Sequence, residues 1–114
     1  MNILIVEDNR LMATLLGLLL EPVVTATFAS VSWEGACKML IDHPEIDTVL
    51  LDLRLKDSTP EQTVSRISTM KAMRPLIILV LTGNYKPEIV SEAVRQGADG
   101  AIDKNAITQI SPRL

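Results

Sequence analysis

Cysteine is almost missing from this chain. Cys37 is the only one in 114 residues, which excludes an internal disulfide and suits a reducing, intracellular setting. Nothing near it in sequence would activate a thiol. Clustered positive charge is also lacking: 11 basic residues stand against 14 acidic ones, for a net charge of −3. An intrinsic nucleic-acid or anionic-membrane surface needs grouped Lys and Arg, so neither is expected. With 5 glycines, the chain contains neither the phosphate loop Gly-x-x-x-x-Gly-Lys-Ser/Thr nor the dinucleotide pattern Gly-x-Gly-x-x-Gly, which argues against a flavin or nucleotide binder. The longest apolar stretch, Leu11 to Leu20, contains Thr14 and Gly17 and falls short of the roughly 20 residues that span a bilayer. Met1 leads directly into a strand-like segment with no basic n-region or cleavage pattern, so no signal peptide is expected. A soluble, cytoplasmic protein is the expectation.

What is present suits one folded domain, residues 1–114: 47% of the residues are hydrophobic, and this length buries one sizeable core but not two. The apolar runs Ile3–Val6, Thr48–Leu51 and Leu76–Leu81 read as strands buried on both faces, as in a parallel sheet. Val23–Phe28 and Gly100–Ile102 read as two further strands. Between them, Arg10–Leu20 predicts a helix stopped by Glu21-Pro22, with Leu11, Leu15, Leu18 and Leu19 as its apolar set. Ser32 caps a second helix from Trp33 to about Ile41, with Ala36, Leu40 and Ile41 on one face. Thr59-Pro60-Glu61-Gln62 supplies an N-cap, a proline at the first helical position and a capping-box glutamine for a third helix ending near Met73. Pro87 opens a fourth, burying Ile89, Val90, Ala93 and Val94 and closing at Gly97 as a left-handed cap. Asn105–Leu114 leaves room for only a short fifth helix, anchored by Ile107 and Ile110. Five alternating strand and helix units imply right-handed crossovers and a parallel sheet covered on both sides.

The ends of these runs carry the chemistry. The first strand stops on Glu7-Asp8, the third on Asp52, the fourth on Thr82 and the fifth on Asp103-Lys104. In a flavodoxin-like (βα)5 fold of strand order 2-1-3-4-5, a crevice opens at the carboxyl ends of strands one and three, where the order reverses. Three carboxylates, a hydroxyl and a lysine at one rim would make a site for a divalent cation and a phosphoryl group. A carboxylate attacks a phosphoryl group poorly because both are anionic, so a hard divalent cation must bridge them.

With Glu7-Asp8, Asp52 within Leu50-Leu51-Asp52-Leu53-Arg54-Leu55, Thr82-Gly83, and Lys104 after Gly97-Ala98-Asp99-Gly100, the chain resembles the receiver domain of two-component response regulators along essentially its whole length. The resemblance implies a signalling switch in which Asp52 accepts a phosphoryl group from a histidine kinase. It implies Mg2+ held by Asp8, Asp52, the Arg54 main-chain carbonyl and, through water or by orienting the shell, Glu7. Lys104 would pair with the transferred oxygens, and Thr82 would turn toward one of them while Gly83 leaves room. The shift would reshape the surface of helix four, strand five and helix five, a surface through which relatives often dimerise when phosphorylated. Beyond self-phosphorylation and autodephosphorylation no enzyme activity is implied. Arg54 and Asn84, two residues beyond Asp52 and Thr82, hold positions that in this family tune phosphoryl lifetime.

Three departures are visible, one being that the loop Lys56-Asp57-Ser58-Thr59 lacks the usual proline and glycine. Receivers commonly carry an aromatic residue three positions before the lysine, where this chain has Ala101, and they usually follow the lysine with proline, where it has Asn105. Lys-Asn is similar to receivers of the NarL/LuxR type, which drive a helix-turn-helix DNA-binding domain; a continuation of the natural chain into such an output domain is therefore expected. Two other readings compete. An aspartate-nucleophile phosphatase would need Asp-x-Asp at the first strand, where Glu7-Asp8-Asn9-Arg10 stands. A receiver-fold interaction module that works without phosphorylation fits the alanine at 101. His43 reads as a surface residue, Trp33 and Phe28 as packing residues, and Asp42, Asp47, Asp57, Asp99 and Asp103 as loop and helix-end residues, although Asp57 is close enough in sequence to the site to perturb metal affinity.

Overall fold

In a computed structural model of the chain, residues 1–83 and 86–106 are described. The elements alternate: β1 (Asn2–Val6), α1 (Arg10–Leu20), a 3-10 turn (Glu21–Val23), β2 (Ala26–Ser30), α2 (Trp33–Asp42), β3 (Thr48–Asp52), α3 (Pro60–Met73), β4 (Ile77–Thr82), α4 (Pro87–Arg95) and β5 (Gly100–Asp103). All five strands are parallel in one sheet of order β2-β1-β3-β4-β5. This is the flavodoxin-like arrangement expected from the sequence. Residues 104–106 are helical; the rest of the predicted fifth helix, with Ile107 and Ile110, lies outside the described residues.

Strand alternation divides the core in two. Leu4, Val6, Val49, Leu51, Ile78 and Val80 face α2, α3 and α4, joined by Leu40, Ile67, Met70 and Ala93. Ile3, Ile5, Leu50 and Leu81 face the other way, against Leu16 of α1. Every residue of β3 is buried, as a central parallel strand covered on both faces requires. Each such aliphatic side chain contributes about 1.5–3 kcal/mol relative to exposure. The cores set the strand register, and the register brings the polar strand ends to one rim.

The helix signals are used as read. Asn9 accepts from the Met12 amide at the start of α1, and Ser32 accepts from the Gly35 amide at the start of α2. Both halves of the Thr59/Gln62 capping box are formed, with Pro60 at the head of α3. Gly97 has φ +120 and so takes the backbone conformation that ends α4, where a side chain would be strained. Arg74 closes the far end of α2, donating to the carbonyls of Leu40, His43 and Ile46.

Some expectations shift. The second strand occupies Ala26–Ser30 rather than Val23–Phe28, because Pro22 sits inside a 3-10 turn instead of merely ending α1. Pairing then starts from Asn2 with Ala26 and runs to Val6 with Ser30, leaving Val23 exposed. Leu11 and Leu18 of α1 point to solvent, as do Ile41 of α2 and Val94 of α4. Ile41 and Val94 each follow the buried residue of their helix, Leu40 and Ala93, and one residue is about 100° of helical rotation.

Candidate functional site: an acidic rim at the carboxyl ends of the strands

β1 and β3 are neighbours, and β1 has β2 on its other side, so the rim beyond Val6 and Asp52 is the point at which the chain turns outward in opposite directions. Glu7 and Asp8 follow β1, and Asp52 is the last residue of β3. Glu7, Asp8 and Asp52 each bring a carboxylate oxygen to within 4.8 Å of the others. Glu7 and Asp52 are almost inaccessible, at 1% and 2% exposure. Lys104 reaches in from the end of β5: its Nζ lies 2.7 Å from Glu7 Oε2 and 3.0 Å from Asp52 Oδ2.

Local bonds fix each group. The Asn9 amide donates to Glu7 Oε1 at 3.2 Å, so the residue that caps α1 also orients Glu7. The Arg54 amide donates to Asp52 Oδ1 at 3.3 Å. Leu53 and Leu55 on either side of Arg54 are buried while the Arg54 side chain is exposed, so the main chain of Arg54 is anchored at the rim. At Lys104, the Asn105 amide donates to Asp103 Oδ1 at 2.8 Å, a bond that proline at 105 could not make. No cis peptide occurs among the described residues.

The electrostatics are those of an anionic site held by one cation. Burial pushes the Glu7 carboxyl above its ordinary range, and the charge of Asp52 adds to this against the counter-pull of Lys104. Burial alone would lower the Lys104 ammonium, but its bond to Glu7 and the charge of Asp52 outweigh burial and hold it raised. Three carboxylates meet one ammonium. Glu7 Oε2 is buried with the Lys104 ammonium 2.7 Å away as its charged partner. Hard oxygen donors this close together fit a divalent cation of the magnesium or calcium kind.

Thr82 ends β4, next to β5, and its hydroxyl donates to the Ile102 carbonyl at 3.3 Å. It therefore belongs to the β4–β5 seam, while Asp52, paired with Leu81 across β3 and β4, stands one strand away. Among the described residues, a Cβ built on Gly83 would meet nothing within 4 Å. Ala101 is exposed on β5. Asn84 and Tyr85 lie outside the described residues.

One contributor is held by bonds that the sequence does not announce. Asp57 is not a free loop residue: its two carboxylate oxygens accept the amides of Trp33 and Glu34 at 2.9 and 3.1 Å, tying the loop after Asp52 to the head of α2. The pairing is 24 residues away in sequence, and no local pattern announces it.

Fold and rim together define a parallel α/β domain with a cation-competent acidic site and a lysine beside a buried aspartate. Comparison with known proteins agrees: the family of the response regulator receiver domain matches residues 3–111, and the chain belongs to it. No curated protein sequence matches significantly. Among solved structures, a response regulator from Burkholderia pseudomallei, with a phosphorylated aspartic acid, calcium ion and citrate, is 29% identical with TM-score 0.79; the match covers 96% of this chain and 63% of that one. The signal receiver domain of a DNA-binding response regulator from Colwellia psychrerythraea is 24% identical, with TM-score 0.76 and coverage of 97% and 98%. The receiver domain of NtrX from Brucella abortus is 21% identical, with TM-score 0.75 and coverage of 97% and 95%. These last two share the fold. No helix among the described residues is long and apolar enough to cross a membrane.

Proposed function

We propose that this receiver domain is a phosphorylation-activated switch with Asp52 as acceptor. The observation that carries the reading is a buried Asp52 carboxylate 3.0 Å from Lys104 Nζ, with carboxylate oxygens of Glu7 and Asp8 within 4.8 Å. Asp8, Asp52 and the Arg54 carbonyl would hold Mg2+, with Glu7 acting through water or by orienting the shell; the ion would screen the repulsion between carboxylate and phosphoryl group. An Asp52 oxygen attacks phosphorus, the bond from phosphorus to the histidine nitrogen of a sensor kinase breaks with its electron pair going to nitrogen, and the imidazole, already protonated on its other ring nitrogen, leaves neutral. Lys104, freed from part of its bond to Asp52, pairs with the transferred oxygens.

The new charge, about −1.5 to −2 by analogy with other phosphorylated residues, then competes with the Ile102 carbonyl for the Thr82 hydroxyl. Movement of Thr82 off β5 breaks a β4–β5 contact and biases the face of α4, β5 and the following helix between two arrangements. That face would control an output domain, a DNA-binding helix-turn-helix of the NarL/LuxR kind in keeping with Lys104-Asn105, and would support a homodimer when phosphorylated. The domain works on itself and turns over no separate substrate. The Burkholderia relative with phosphorylated aspartate and calcium supports the acceptor and the cation, and the family supports a histidine kinase as donor. The exposed Ala101, with no aromatic ring to follow Thr82, favours a second reading, an interaction module that works unphosphorylated.

Intact mass after incubation with acetyl phosphate and Mg2+ tests the first reading. Wild type should gain one phosphoryl group and Asp52→Asn none. Equal gain in both, or none in wild type with acetyl phosphate or a sensor kinase, would refute it.

A further inference from the structure

The loop from Leu53 to Thr59 carries neither proline nor glycine, yet it must hold the Arg54 main chain at the rim. Three sets of bonds order it. Leu55 and Ser58 exchange backbone bonds of 2.9 and 3.2 Å across a tight turn. The buried Ser58 hydroxyl meets Thr63 Oγ1 at 2.6 Å and Arg66 Nη1 at 3.1 Å. At the tip of the turn, Asp57 binds the Trp33 and Glu34 amides, and the Arg66 guanidinium lies 5.4 Å over the Trp33 ring. Ser32 already caps α2 through the Gly35 amide. Asp57 therefore satisfies the two further free amides of the first turn, and does so from the loop that follows the acceptor.

We propose that Asp57 is a positioning residue of the phosphoacceptor site, clamping the Leu55–Ser58 turn to the head of α2 so that the Arg54 carbonyl stands ready for the cation. The inference rests on the cation-dependent switch proposed above. Although burial acts to raise it, the Asp57 carboxyl is held below its ordinary range by the Trp33 and Glu34 amides and by Arg66, so the clamp is ionised at neutral pH. Because coupling is reciprocal, a cation at the rim tightens the clamp. Receiver output would then reach α2 as well as the β4–β5 seam.

The test is Mg2+ titration of the whole chain by amide NMR and calorimetry, for wild type, Asp57→Ala, Asp57→Asn and Ser32→Ala. Asp57→Ala should weaken Mg2+ binding about tenfold, the low end for partners that orient metal ligands. Asp57→Asn keeps one of the two acceptor oxygens and loses the other together with the charge, so it should recover part of the affinity. Ser32→Ala removes the other α2 cap and should leave affinity unchanged. In wild type, Mg2+ should slow hydrogen exchange at the Trp33 and Glu34 amides. Unchanged affinity in Asp57→Ala, equal loss in Ser32→Ala, or loss in Asp57→Asn matching Asp57→Ala would overturn the positioning role while leaving the switch intact. Failure of wild type to bind Mg2+ would overturn both.

Discussion

Replacing Lys104 by methionine removes an ammonium in contact with two buried carboxylates, Glu7 and Asp52, and keeps most of the length of the side chain. Breaking a buried ion pair from one side costs about 3–5 kcal/mol. Lys104 is 21% exposed, which favours the lower end. A second bound comes from proton uptake. Protonating a glutamate of ordinary pKa near 4.3 at pH 7 costs about 3.7 kcal/mol, at about 1.36 kcal/mol per pH unit, and the variant can always escape by that route. A loss of about 3 kcal/mol at pH 7 is therefore expected. The sign of its pH dependence follows. With Lys104 gone, the Glu7 carboxyl, already raised by burial and by Asp52, rises further above its unfolded value. A raised carboxylate destabilises the fold above its pKa and ceases to do so as pH falls through the folded pKa, so the deficit should shrink to about 1 kcal/mol near pH 5. Mg2+ should also reduce it, because a bound cation replaces the missing positive charge. Urea unfolding of wild type and Lys104→Met near pH 7 and pH 5, with and without Mg2+, measures all of this. A deficit that is small, or that grows as pH falls, would refute the argument that Lys104 compensates buried charge.

Two further predictions concern the fold. Asp99 accepts from Lys71 Nζ at 2.7 Å and from the Ile78 amide at 2.9 Å, and first Lys71, then that amide, holds its carboxyl below the ordinary range. Its contribution, about 1 kcal/mol after allowance for solvent screening, should be complete above the unfolded aspartate pKa near 3.9 and vanish as pH falls through the lower folded value; denaturation of wild type against Asp99→Ala across that range reads it. Gly97→Ala should lower stability by about 1 kcal/mol or more because φ +120 strains any side chain, and a melting temperature equal to wild type would show that the α4 ending needs no glycine.

The strands and the rim were legible because the signal for each is local. Four of the apolar runs end in Glu7-Asp8, Asp52, Thr82 and Asp103-Lys104, and a parallel sheet turns strand ends into neighbours. The second strand was read three residues early because Val23 and Val24 look like strand residues, whereas Pro22 turns the chain and the backbone bond from Thr25 to Met1 starts the pairing. Hydrophobicity alone also placed Leu11, Leu18, Ile41 and Val94 inward; each is apolar but lies off the buried stripe. Thr82 was recognised by its place, but its bond to the Ile102 carbonyl depends on the registration of β4 with β5. Asp57 was noted only for its nearness in sequence to the site, because its partners are the amides of another helix, and such bonds have no sequence signature.

In the proposed switch the phosphoryl group resides on Asp52 as an acyl phosphate. Reducing the phosphorylated protein with borohydride, which converts a phosphorylated aspartate to homoserine, and sequencing its peptides by tandem mass spectrometry, tests this directly. Homoserine at position 52, dependent on Mg2+ and absent from the untreated protein, is the predicted result. A stable phosphate on a serine, threonine or histidine, or homoserine at another aspartate, would contradict it.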